Sequence, residues 1–188
     1  MNNCYLDAEA VITFFRMTGR KHIFITGSRG SGKSHLVNNM LKHMSDSFNL
    51  LQSHRTDTPQ VVIKSNLVAD NKEFVIGVPR TSGINPASKG NNMTIIEDGF
   101  INCAIPAIDT HLDTTPERLF VIDELGYLES SCIPFQKAVE KLLDNSHVLA
   151  VIRKQSTEFL NRIYNRKDVL VIDIDSTFET LSCIIMAS

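Results

Sequence analysis

His22-Ile23-Phe24-Ile25-Thr26-Gly27-Ser28-Arg29-Gly30-Ser31-Gly32-Lys33-Ser34 is the stretch on which the reading of this chain turns. Its first five residues are short, β-branched and mostly apolar, which predicts a buried strand. Gly27 to Ser34 then fit G-x-x-x-x-G-K-[ST] at every fixed position. Leu36, Val37, Met40, Leu41 and Met44 follow at helical spacing. Glycines let a backbone curl so that successive N–H groups face phosphate oxygens. The helix starting near Lys33 adds its positive end. Gly27, Ser28, Arg29, Gly30, Ser31, Gly32, Lys33, Ser34 and His35 are therefore the predicted nucleotide contacts. Lys33 is expected to reach the β- and γ-phosphates as a catalytic cation, and the Ser34 hydroxyl to ligate Mg²⁺.

A phosphate loop also needs an acidic group near the metal. Leu119-Phe120-Val121-Ile122-Asp123-Glu124 supplies an apolar strand ending in two carboxylates. Ligands of open α/β sheets sit at the carboxyl ends of strands. Asp123 is the expected Mg²⁺ residue, and Glu124 the group that orients or deprotonates the attacking water. The next apolar strand, His147 to Ile152, is followed by Arg153 and Lys154, and Arg153 is the candidate cation for charge on the transferred phosphate. Between these strands Phe135, Ala138, Val139, Leu142 and Leu143 mark a helix. Phe159, Leu160, Ile163 and Tyr164 mark another before the strand Val169 to Ile172. Such alternation predicts an α/β fold: a mainly parallel, doubly wound sheet of the P-loop type with helices on both faces.

Upstream, Leu6, Ala10, Val11, Phe14 and Phe15 predict a helix in an N-terminal extension, residues 1–20, ended by Gly19. Residues 50 to 100 are polar and carry Pro59, Pro79 and Pro86. Val61-Val62-Ile63 and Phe74-Val75-Ile76 predict short strands there, and the segment between Pro79 and Asn92 a loop. This region reads as a strand and loop insert with a mobile lid. No second domain is required, so residues 1–188 are read as one domain.

The composition, 43% hydrophobic and 21% charged in 188 residues, is that of an ordinary globular protein. A formal net charge of −2 argues against a general grip on nucleic acid or anionic membrane. No apolar run approaches the roughly 18 residues of a membrane span. No basic region leads into an apolar one at the N-terminus, so no secretory signal is expected. Cys4, Cys103, Cys132 and Cys183 are scattered, which fits reduced thiols in the cytoplasm. The six histidines have no metal-ligand spacing and read as structural or surface residues.

Asp123-Glu124-Leu125-Gly126-Tyr127-Leu128-Glu129 resembles the signature of the small nucleoside-triphosphatases of archaea, bacteria and animals known as the THEP type. That family shows an apolar strand, Asp-Glu, an apolar residue, Gly, and a Glu three residues later. Ile105-Pro106-Ala107, Phe135-Gln136-Lys137-Ala138-Val139 and Arg153-Lys154 are similar to further parts of its pattern. The resemblance covers roughly residues 20 to 175. His54 and Arg55 stand where the family has a more apolar, aromatic stretch, and His35 replaces a small hydroxyl residue. The resemblance implies Mg²⁺-dependent hydrolysis of ATP, GTP and other nucleoside triphosphates to diphosphate and phosphate. No Asn-Lys-x-Asp-like guanine reader is present, so ATP and GTP are expected to react at similar rates. Two other functions use the same loop: a small-molecule or nucleotide kinase, and a nucleotide-gated switch with a protein partner.

Overall fold

The computed structural model describes residues 7–44, 47–80 and 93–176. Leu6, Cys4, Cys183 and most of the segment read as a lid loop lie outside the described residues. The strands are, in chain order, β1 (His22–Thr26), β2 (Phe48–Arg55), β3 (Val61–Ser65), β4 (Phe74–Pro79), β5 (Met93–Ile95), β6 (Leu119–Leu125), β7 (His147–Ile152) and β8 (Val169–Asp173). They form one sheet in the order β5-β4-β3-β2-β6-β7-β1-β8. β2, β6, β7, β1 and β8 run parallel, as the alternation predicts. β3, β4 and β5 extend one edge antiparallel. The insert is thus part of the same sheet. Two of its strands match the short apolar runs at 61–63 and 74–76.

The helices are α1 (Ala8–Thr18), α2 (Lys33–Met44), α3 (Glu97–Gly99), α4 (Ile105–Thr114), α5 (Ile133–Asn145) and α6 (Glu158–Tyr164). A wider π turn, Phe100–Ala104, leads into α4. Successive side chains of a strand point to opposite faces, and the core divides accordingly. Ile23 and Ile25 of β1, Val121 of β6, and Leu149 and Val151 of β7 pack with Val11 of α1 and Leu36 and Met40 of α2. Phe24, Phe120, Ile122, Val148 and Ala150 pack on the other face with Ile108, Phe135 and Phe159. Each buried Val, Leu, Ile, Met or Phe side chain among these stabilises the fold by about 1.5–3 kcal/mol. α1 starts with Asp7 accepting the Ala10 N–H at 3.2 Å. It ends at Gly19, whose φ of 63° closes the helix in the left-handed conformation.

Among the elements not predicted are β2 and α4. β2 runs Phe-Asn-Leu-Leu-Gln-Ser-His-Arg and buries only Asn49 and Leu51. α4 carries mixed residues and follows the π turn rather than a recognisable cap. A polar cluster joins them at the end of the sheet away from the loop. Asn49 donates to His111 Nδ1 at 2.8 Å and to Thr115 Oγ1 at 2.8 Å. His111 Nε2 lies 2.6 Å from Ser146 Oγ, which donates to the Pro116 carbonyl at 2.8 Å. A neutral imidazole protonated at Nε2 satisfies all these bonds, and burial pushes its pKa down. His111 is a structural residue, as is His22, which is buried at the start of β1.

Candidate functional site

The phosphate loop leaves β1 and enters α2 as the sequence requires. Gly27, Gly30 and Gly32 take φ values of 151°, 77° and 94°, which side-chain-bearing residues rarely adopt. Ser31 closes the turn, its hydroxyl donating to the Ser28 carbonyl at 2.7 Å. The first turn of α2 has no acidic residue, so its N–H groups face no competing carboxylate from that turn. Lys33 Nζ donates to the carbonyls of Gly27 at 2.9 Å and Ser28 at 2.7 Å. The ammonium therefore already lies across the mouth of the loop.

A cavity of about 750 Å³ opens over this loop. Every residue from Gly27 to His35 lines it, and so do Arg55, Glu124, Arg153, Lys154 and Gln155. His35 also meets the Asn39 amide at 3.1 Å. The strand order explains the gathering: β7 lies between β1 and β6. Arg153, the first residue after β7, accordingly stands between the loop and the acidic strand end. Its Nε donates to Glu124 Oε1. Its backbone N–H donates to the Leu125 carbonyl at 2.9 Å. Gly126 permits this, because a Cβ there would meet Arg153 Cδ at 3.0 Å.

Asp123 is half-buried and lies opposite Gln52 of β2. Burial, and then the Glu124 charge, push its carboxyl above the usual range. A hydrogen bond from Gln52 and the nearby Lys33 charge act the other way. Asp123 does not line the cavity over the loop; Glu124, its neighbour, does. Among the described residues no three His, Cys, Asp or Glu side chains cluster as a metal cage. One carboxylate and one hydroxyl, Asp123 and Ser34, nonetheless fit Mg²⁺. That ion keeps several waters and takes phosphate oxygens, with one or two carboxylates from the protein.

Glu129 is buried behind this rim, accepting the Gly126 N–H at 2.9 Å. Burial pushes its carboxyl up to about 7. It lines a second cavity, of about 480 Å³, together with Ser53, Met93, Tyr127 and Leu128. Arg55, Glu124, Arg153 and Gln155 belong to both cavities.

The sequence reading did not anticipate Arg55 or Asp175 at this rim. Asp175 grips the loop from the far side: its carboxylate accepts the Ser28 N–H at 2.7 Å and the Ser28 hydroxyl at 3.0 Å. Lys154 spans Asp173 at 2.8 Å and Asp175 at 3.4 Å. Asp175 was open to the strand-end argument that picked out Asp123, since it follows the apolar strand β8. Arg55 carried no such signal, because β2 does not read as a buried strand.

A glycine-rich loop between a parallel strand and a helix, facing a carboxylate pair across one intervening strand, defines a P-loop nucleotide-binding protein. The model of the NTPase family matches residues 22–179, and the chain belongs to that family. It is 26% identical over 155 residues to "Nucleoside-triphosphatase THEP1" of Thermotoga sp. strain RQ2, covering 81% of this chain and 86% of that protein. It is 23% identical over 154 residues to the protein of that name from Thermotoga maritima, with the same coverage of 81% and 86%. The fold is similar to the crystal structure of THEP1 from Aquifex aeolicus, with a TM-score of 0.65 at 17% identity, over 88% of this chain and 98% of that one. A human cancer-related nucleoside triphosphatase has a TM-score of 0.59 at 19% identity, over 89% and 96%.

Proposed function

We propose that this chain is a Mg²⁺-dependent nucleoside-triphosphatase that cleaves ATP, GTP and other nucleoside triphosphates to the diphosphate and phosphate. The observation that carries this reading is that one cavity is lined by the whole phosphate loop and by the Glu124–Arg153 pair. The activity named for the Thermotoga relatives supports it.

In this reading the loop N–H groups and the N-terminus of α2 hold the phosphates. Lys33 exchanges its two carbonyl partners for β- and γ-phosphate oxygens, a charge-assisted bond in place of a neutral one. Ser34 and Asp123 would hold Mg²⁺, which would offset phosphate charge. Glu124 orients a water and takes its proton as the water oxygen bonds to the γ-phosphorus. The bond from that phosphorus to the bridging oxygen breaks, and diphosphate leaves. Arg153 fixes Glu124 through its Nε and offers its other nitrogens to the transferred group. Phosphoryl transfer depends mainly on such positioning and charge stabilisation.

Cys103 and Cys132 are buried free thiols, which supports a reducing compartment, the cytoplasm. Among the described residues no helix is long and apolar enough to cross a membrane.

A second reading, transfer to a small-molecule acceptor, draws on the 480 Å³ cavity beyond Glu124. Phosphate release from a panel of nucleoside triphosphates, with Mg²⁺ and no acceptor, separates the two. The expected result is steady turnover of ATP and GTP within about tenfold of one another, a difference of at most roughly 1.4 kcal/mol. Lys33→Ala should abolish that turnover while the protein stays folded. Turnover that appears only with an added acceptor would replace hydrolysis by kinase chemistry.

A further inference from the structure

Five cations line the cavity over the loop: Arg29, Lys33, Arg55, Arg153 and Lys154. Three have anionic or carbonyl partners. Lys33 is held by two loop carbonyls, Arg153 by Glu124, and Lys154 by Asp173 and Asp175. Among the described residues Arg29 and Arg55 form no ion pair and no side-chain hydrogen bond. Both are exposed, but they differ in position. Arg29 sits in the crown of the loop and lines one cavity. Arg55 stands on the other side of the acidic strand and lines both cavities. It is there because β2 runs parallel to β6 with Gln52 opposite Asp123. Three residues further along, the last residue of β2 clears the sheet rim.

We infer, building on the nucleotide reading above, that Arg55 meets the terminal phosphate of the bound nucleoside triphosphate from the side opposite the loop. Charge favours this. Asp123 and Glu124 bring two negative groups to the rim, and Arg153 is already paired with one of them. A triphosphate brings more negative charge than Lys33 and one divalent ion cancel. Among the described residues, Arg55 is the cation without an ion pair that lines this cavity from the β2 side of the acidic strand. A guanidinium suits the task, since its planar fork can bond two phosphate oxygens at once. On an open surface such a contact is screened and weak. A nucleotide bound in the cavity would cover this exposed side chain and displace water from it, and there the same charge counts for more.

Because the contact is with the terminal phosphate, it separates triphosphate from diphosphate binding. The test is the affinity of the full chain for a non-hydrolysable ATP analogue and for ADP, both with Mg²⁺, in wild type, Arg55→Ala and Arg55→Lys. The ratio of the two affinities is insensitive to the fraction of protein that is folded. Loss of a charge-assisted bond should lower triphosphate affinity relative to diphosphate by about 10- to 100-fold in Arg55→Ala. Arg55→Lys should recover part of that loss. An unchanged ratio in Arg55→Ala, or an equal weakening of both ligands, overturns the inference. A wild-type chain that binds and hydrolyses no nucleoside triphosphate would instead sink the reading of the whole cavity.

Discussion

β1 buries all five of its residues, whereas β5, at the far edge of the same sheet, buries none of its three. The difference reflects how the two halves are covered. In the parallel half, helices lie on both faces, so strands become nearly continuous apolar runs. β3 and β4 are only partly buried and belong to an antiparallel extension. β2 belongs to both halves, parallel to β6 on one side and antiparallel to β3 on the other. The parallel half supplies the phosphate loop and the carboxylates; the extension builds the wall that faces them. Changes at the loop and the carboxylates of the first half should therefore act on chemistry, and changes in the packing of the extension mainly on stability.

Glu124→Gln offers the sharpest break between the halves. It keeps size and polarity but removes the basic charge, at the end of a parallel strand. Turnover at saturating nucleotide should fall at least about 100-fold, with calorimetric affinity for Mg²⁺–nucleotide close to wild type. Lost affinity with an unchanged maximal rate would make Glu124 a binding residue. Gly99→Ala probes the other half. A Cβ at Gly99 would stand 2.3 Å from the Val75 carbonyl oxygen of β4, a backbone atom that has little room to retreat. Overpacking of this kind costs about 1–3 kcal/mol. Denaturant unfolding should show that loss, while turnover well below the melting temperature stays within about threefold of wild type. A stable Gly99→Ala protein with little turnover would show that the extension governs the chemistry directly.

The same contrast explains how far the sequence could be read. β1, β6, β7 and β8 stand out because each is a short apolar run, and the loop and the Asp123–Glu124 strand end stand out with them. β2 does not, because its buried Asn49 is matched by His111 and Thr115 from α4 and the loop beyond it, a contact no local pattern records. α4 escaped for the same reason. Strand order was equally out of reach. That β7 lies between the loop strand and the acidic strand is a pairing between distant segments, and it sets Arg153 beside Glu124. Arg55 depends on both unseen facts, the existence of β2 and its place next to β6.

Two buried ionisable side chains, at opposite ends of the strands, give the molecule opposing responses to acid. Burial favours the protonated form of Glu129 in the fold and raises its pKa to about 7, against 4.5 for a free glutamate. Its folded value is raised, so its contribution is complete below the unfolded pKa and drains away as pH rises toward about 7. His22 is held neutral by burial, against the pull of Asp168, with a pKa of about 4 against 6.5. Its folded value is depressed, so its contribution is complete above the unfolded pKa and is lost as pH falls toward about 4. Each slope is about 1.4 kcal/mol per pH unit, and the two have opposite signs. Between about pH 4.5 and 6.5 they cancel, and these groups leave the free energy of unfolding nearly level. Removing either one should expose the other: urea titrations across that window should find Glu129→Gln gaining stability as pH rises and His22→Leu losing it. The two side chains never touch, and parallel pH profiles for the two variants would show that no such compensation exists between them.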